Sequence, residues 1–149
     1  MISAQLVKEL REKTGVSMIE CKKALEEAQG DLDKALEVLK SRSQAQAAKK
    51  SDRELGAGTV ASYIHSNGQV GALVVLSSET DFVSKNEEFT TLARDIAMHA
   101  AAMRAASIDE LLPQQFIKDP SLTIGDLITG AVQKFGERIE VSQLAVFSL

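Results

Sequence analysis

The apolar residues of this chain change their period once, near residue 56, and that switch constrains the fold more than any other feature. Up to Leu39 they recur at intervals of three and four, as one buried face of a helix requires. From Val60 to Leu76 they alternate or run together, as strands do. One chain therefore carries a helical part followed by a mixed part, and the expected class is α+β.

The helical part reads as three short helices. Ser3 suits the N-cap of the first, which presents Leu6, Val7 and Leu10 and stops at Gly15. Ser17 and Glu20 have capping-box spacing at the second, with Ile19, Ala24, Leu25 and Ala28 apolar and Gly30 suited to a left-handed stop. Asp31 caps a third, with Leu32, Ala35, Leu36 and Leu39 on one face. A bundle of about forty residues has a small core and is marginal alone. Residues 1–42 are expected to form it, and residues 43–56 a solvated helical linker without an apolar stripe.

The mixed part is expected to fill residues 57–149 with a three-stranded antiparallel sheet packed with helices. Asn67-Gly68 predicts a type I′ hairpin. The strand after it, Val70 to Leu76, is nearly all apolar and is expected at the centre of the sheet, covered on both faces. Tyr63 and His65 alternate with Val60 and Ile64 on the first strand. Phe89, Leu92, Ala93, Ile96, Ala97, Ala100 and Met103 mark a long helix over roughly 85–105. Ser107–Glu110 predicts a capped short helix closed by Pro113, and Ile124 to Phe135 a further one stopped by Gly136. In the last segment Ile139, Val141, Ala145, Phe147 and Leu149 are expected on one face of a third strand.

Composition removes several functions. The net charge is −4 and there is no Trp, which disfavours a phosphate-backbone or base-stacking role, so no direct nucleic-acid contact is expected. Cys21 is the only cysteine, so no intrachain disulfide can form and a cytoplasmic protein is expected. No stretch is long enough to span a bilayer, and no membrane role is expected. The two histidines, His65 and His99, lack helix-zinc spacing, and no glycine run has the P-loop pattern. No metal, cofactor or catalytic set is expected, and Cys21 reads as a small helix residue rather than a nucleophile.

The stretch Ser77–Phe89, SSETDFVSKNEEF, stands apart. Phe82 falls between a strand and a helix, beside Asp81. Two readings fit the spacing equally. The ring folds back onto the core while Asp81 or Ser84 caps the helix; or a stiff turn projects it as an anchor for a partner's pocket.

Several segments together resemble the bacterial elongation factor Ts family. Residues 6–39 resemble its N-terminal ubiquitin-associated-like three-helix module, and AAKKSDRE at 47–54 its linker. SSETDFVSKNEEF resembles its Thr-Asp-Phe-Val signature, and KFGERIEVSQLAVF its closing strand. The resemblance implies a guanine-nucleotide exchange factor for the GTPase elongation factor Tu, without covalent chemistry. It implies partner contacts through Thr80, Asp81, Phe82 and Val83, with the ring inserted near the magnesium and phosphate end of the GTPase. It implies a second grip through Arg11, Met18, Ile19 and Lys22, where Ile19 replaces a methionine common in the family. The chain departs from the pattern in length: Ile108 to Asp119 alone connects the long helix to the end, where fuller relatives carry a second subdomain or a coiled insertion. A homodimer through the sheet of the core (dimerisation) domain is the expected compensation. The rival readings are an interaction adaptor without exchange activity and, less supported, a small enzyme using His65 and Asp81.

Overall fold

A computed structural model describes residues 1–149. Three helices open the chain: α1 (Ala4–Thr14), α2 (Met18–Glu27) and α3 (Leu32–Lys49). Ser3, Ser17 and Asp31 cap them as read, each accepting from the backbone N–H three residues on. Gly15 ends α1 at φ 70°, a left-handed value that a side chain rarely adopts. Leu10, Leu25, Cys21, Ala24, Ala35 and Leu39 interlock as the buried centre of this bundle.

A strand pair follows, β1 (Ala57–Ile64) and β2 (Val70–Ser78). A one-turn helix, α4 (Asp81–Ser84), leads into the long α5 (Glu87–Met103), which Asn86 caps. Next come α6 (Ile108–Leu111), a short ribbon of β3 (Gln115–Phe116) and β4 (Asp119–Thr123), then α7 (Ile124–Phe135) and β5 (Glu140–Ser148). The sheet order is β1-β2-β5, all antiparallel, so β2 is central as its apolar run requires. The main core lies between one sheet face (Ala61, Ala72, Val74, Leu76) and the helices carrying Phe89, Ile96 and Ile128. The rings of Phe89 and Phe135 meet edge to face at 6.2 Å.

Four expectations are corrected. The hairpin is not type I′, because only Gly68 has positive φ and Asn67 does not. The chain instead makes a tight turn, His65 C=O accepting from Gly68 N–H at 2.8 Å, and Gly68 supplies the left-handed residue. Second, β2 is covered on one face only: Leu73 is 48% exposed on the other, beside Val60 and Ile64 of β1. Third, β5 does not keep one parity. A bulge opposite Val75/Leu76 inserts a residue, so Ile139 and Val141 face the core but Leu144 and Val146 replace Ala145 and Phe147 there. Phe147 is turned out, 73% exposed.

Fourth, the segment expected as a solvated linker is not free. Helix α3 runs unbroken to Lys49, and its second half lies along α7. Ser43 is buried and meets the side-chain amide of Gln133; Ala47 packs on the main core. Lys40 reaches Asp126 at 3.1 Å, the same carboxylate that completes the capping box of α7 with Thr123. Small residues on that stretch leave no apolar stripe, yet they admit close helix contact. The β3–β4 ribbon has no sequence signal: β3 has two residues, and Pro120 within β4 argues against a strand.

His99 is fully buried on α5. Its Nδ1 accepts the Ile117 N–H at 3.2 Å, and its Nε2 lies 3.0 Å from Gln114 Oε1. With Nδ1 accepting, the proton of the neutral ring sits on Nε2 and is donated to Gln114. Burial lowers the pKa from the ordinary 6.5. The unfolded chain therefore binds a proton that the folded chain refuses. Stability from this site is whole above pH ~6.5 and drains away as pH falls below it, by at most about 1.4 kcal/mol per pH unit. Urea midpoints taken between pH 7.5 and 5.5 should fall for the parent and flatten for His99→Gln; parallel curves would dissociate His99 from the effect.

Candidate functional site

The unusual surface feature is the corner between β2 and α4. Central strand β2 ends at Ser78, fully buried, and the chain must turn before the first residue of α4. Thr80 occupies the N-cap position in extended backbone, and Asp81 and Phe82 open the one-turn helix. Phe82 is 93% exposed. Of the two readings open in the sequence, the projected ring is the one the structure has.

The corner is tied on both sides. Ser78 Oγ donates to the Thr80 carbonyl at 3.0 Å, and the Ser84 N–H donates to the same oxygen at 3.2 Å. Glu137 approaches from the loop before β5: its Oε1 accepts the N–H of Glu79 (3.1 Å) and of Thr80 (3.0 Å), and its Oε2 accepts the Thr80 hydroxyl (2.6 Å). Glu79 Oε2 in turn accepts the Arg138 N–H at 2.6 Å and lies 3.5 Å from the Arg53 guanidinium. Val83, expected with Phe82 at a partner surface, points the other way: it is buried in the main core and anchors the turn from within. Thr80 and Asp81 are exposed beside the ring.

The second expected patch also lies at the surface. Met18 and Ile19 begin α2, 51% and 69% exposed, and Lys22 follows one turn on, paired loosely with Glu26 at 3.9 Å. Arg11, on the last turn of α1, is exposed and close enough for its charge to favour the Cys21 thiolate. These four residues thus share one end of the α1–α2 pair. Apolar side chains left out at the start of a helix, flanked by cations, form a surface that a partner can cover.

The groups considered for chemistry do not converge. Cys21 is buried; its thiol donates weakly to the Val16 carbonyl at 3.6 Å, and burial raises its pKa. His65 is exposed on the hairpin, its Nδ1 3.1 Å from the Tyr63 hydroxyl. His99 belongs to the core. No cluster of three His, Cys, Asp or Glu side chains is placed to hold a metal ion, and no helix is long and apolar enough to cross a membrane.

Sequence reading missed Glu137, Arg138, Glu79 and Arg53. A signal for three of them existed. Strands β2 and β5 are antiparallel neighbours ending in the pair Ser77 and Glu140. Residues just after β2 must therefore sit beside those just before β5, and both stretches are charged. Arg53 carried no such signal, since only the packing of α3 on α7 brings residues 50–53 to this corner.

A helical bundle docked on an α+β body, with an uncovered aromatic on a tethered corner, defines the structural class. The family model described as Elongation factor TS matches residues 79–149, from this corner to the end of β5. Elongation factor Ts of Carboxydothermus hydrogenoformans is 39% identical over 194 aligned positions, covering 100% of this chain and 89% of the relative. That of Thermosipho melanesiensis is 51% identical over 152 positions, covering 92% of this chain and 78% of the relative. That of Clostridium botulinum Type A is 45% identical and covers 100% of this chain but 48% of the relative. The chain belongs to the elongation factor Ts family. Membership places it among the translation elongation factors. The first of these alignments has more positions than this chain has residues, so that relative carries a stretch with no counterpart here.

Proposed function

We propose that the chain is a guanine-nucleotide exchange factor that binds elongation factor Tu in the cytoplasm and promotes GDP release without covalent chemistry. The observation that carries this is Phe82: a large apolar ring left in water on a backbone tied from both sides. An ordered corner loses little further entropy on docking, so more of the ring's burial is available to the complex.

Exchange follows from differential binding. GDP and magnesium hold the switch loops of a GTPase through phosphate and oxygen contacts. A wedge that fits only the loosened loops binds the empty form best, and by linkage nucleotide weakens the wedge by the same factor. Turning a 1:99 balance into 99:1 takes about 5.5 kcal/mol of differential affinity. One buried ring contributes roughly 1.5–3 kcal/mol. The rest falls to Thr80 and Asp81 beside it, and to the second grip through Arg11, Met18, Ile19 and Lys22. Residues 1–42 act as the gripping module, 43–56 as the connection and 57–149 as the core that carries the wedge. Stopped-flow release of a fluorescent GDP from purified elongation factor Tu tests the whole reading. Acceleration supports exchange, whereas binding without acceleration makes the chain an adaptor.

We further propose that two copies pair through the uncovered sheet face. Val60, Ile64, Leu73 and Phe147 are exposed on that face across three strands, with Val75 half-buried between them. A three-stranded sheet with one bare apolar face is the half of a sandwich. Sedimentation at micromolar concentration should give a dimer, and Leu73→Glu a folded monomer with dimer affinity weakened about a hundredfold or more. A parent that sediments only as monomer would rule the pairing out.

A further inference from the structure

We propose that Glu137 is the positioning residue of the exchange corner: it fastens the two residues before Asp81 so that Phe82 is presented in one orientation. The proposal rests on the exchange reading above and assigns a part to a residue outside the partner-facing set.

The geometry follows from what the strand ends leave unpaired. Ser78 pairs with Ala57 and Ser77 with Glu140, and there the ladders stop. The next two backbone N–H groups, of Glu79 and Thr80, have no carbonyl partner. Both are taken by a single carboxylate oxygen, Glu137 Oε1, while Oε2 takes the Thr80 hydroxyl. Three donors from two consecutive residues converge on one side chain. Charge-assisted bonds of this kind are stronger than neutral ones and set direction as well as distance.

Glu137 is itself delivered by the fold. Gly136 ends α7 in left-handed backbone at φ 72°, which turns the chain out of the helix and toward the corner. Arg138, the next residue, is locked by three partners: its N–H to Glu79, its Nη1 to the Arg53 carbonyl at 2.5 Å, and its Nε and Nη2 to Glu140. The two segments thus hold each other crosswise, Glu137 on residues 79–80 and Glu79 on Arg138. On the far side of the ring, Val83 is sunk in the core. Phe82 lies between a tether and an anchor. With the tether cut, Ser78 and Ser84 still hold the Thr80 carbonyl, but the N–H groups of Glu79 and Thr80 lose their partner, so this stretch loosens and the GTPase must order it on binding.

The test uses the full chain and elongation factor Tu, with GDP release by stopped flow and thermal unfolding measured together. Glu137→Ala should slow release about tenfold, with the unfolding transition still cooperative and amide hydrogen exchange at Glu79 and Thr80 raised about tenfold. Glu137→Gln should recover most of the rate. Its carbonyl can still accept both N–H groups, and its amide can donate to a reoriented Thr80 hydroxyl. In a Phe82→Ala background, Glu137→Ala should add no further loss, because it acts through the ring. Additive losses, or an unchanged rate in Glu137→Ala while Phe82→Ala is slow, overturn the positioning role and leave the exchange reading standing. A normal rate in Phe82→Ala itself overturns the wedge and the positioning role together, whereas a parent chain that does not accelerate release overturns the exchange reading. Should Glu137→Ala not fold, Glu137→Asp, whose carboxylate is one methylene short of the two N–H groups, should give a smaller loss, likewise masked by Phe82→Ala; an unmasked loss overturns the proposal.

Discussion

Phe82→Ala is expected to slow GDP release from elongation factor Tu by about 10- to 100-fold, the factor that corresponds to burying one aromatic ring. The same substitution should leave folding almost untouched, because the ring is 93% exposed and contributes nothing to the core. The loss should also fall unevenly. If the ring makes its best contacts only when the nucleotide site is loosened, its removal costs the loosened state more than the first encounter. Release should therefore slow by more than binding weakens. Titration of the nucleotide-bound GTPase beside the stopped-flow rates separates the two. Equal losses in both would mean a uniform contact rather than a wedge.

Phe89→Ala is expected to do the reverse. Seven residues on, this phenylalanine is fully buried on the first turn of α5, edge to face with Phe135. Truncation leaves a cavity where α5, α7 and the sheet meet, and should cost about 3–5 kcal/mol. That is a large share of the 5–15 kcal/mol typical of a domain. Urea unfolding should show a lower midpoint with an unchanged slope, and Phe89→Leu a smaller loss. Exchange by the fraction still folded should stay near normal. A loss under about 1 kcal/mol would contradict the packing described for this ring. One motif thus holds two phenylalanines whose truncations affect opposite properties.

The pair also shows how far a linear reading reaches. Spacing alone buries Phe89, because Phe89, Leu92, Ala93 and Ile96 repeat on one helical face and only a buried face needs such a repeat. Phe82 has no such signal, because a residue on a joint has no period to betray its direction. The same limit hid the tether. Glu137 and Thr80 lie 57 residues apart, and no local rule couples them. It also hid the open sheet face. An all-apolar strand is read as covered on both faces, yet β2 meets helices on one only.

What the sequence by itself determined were the features set by neighbours along the chain. These are the three capped helices, the hairpin's location, the central strand, the long helix and the family signature around the corner. Caps, periods and turn residues act within a few residues, so they can be read without knowing what lies across the molecule. Only the tertiary structure decided the direction of Phe82, the parity change in β5, the docking of α3 on α7 and the hold of Glu137. Each depends on contacts between segments brought together by packing, where a bulge of one residue or the reach of one side chain reverses the outcome.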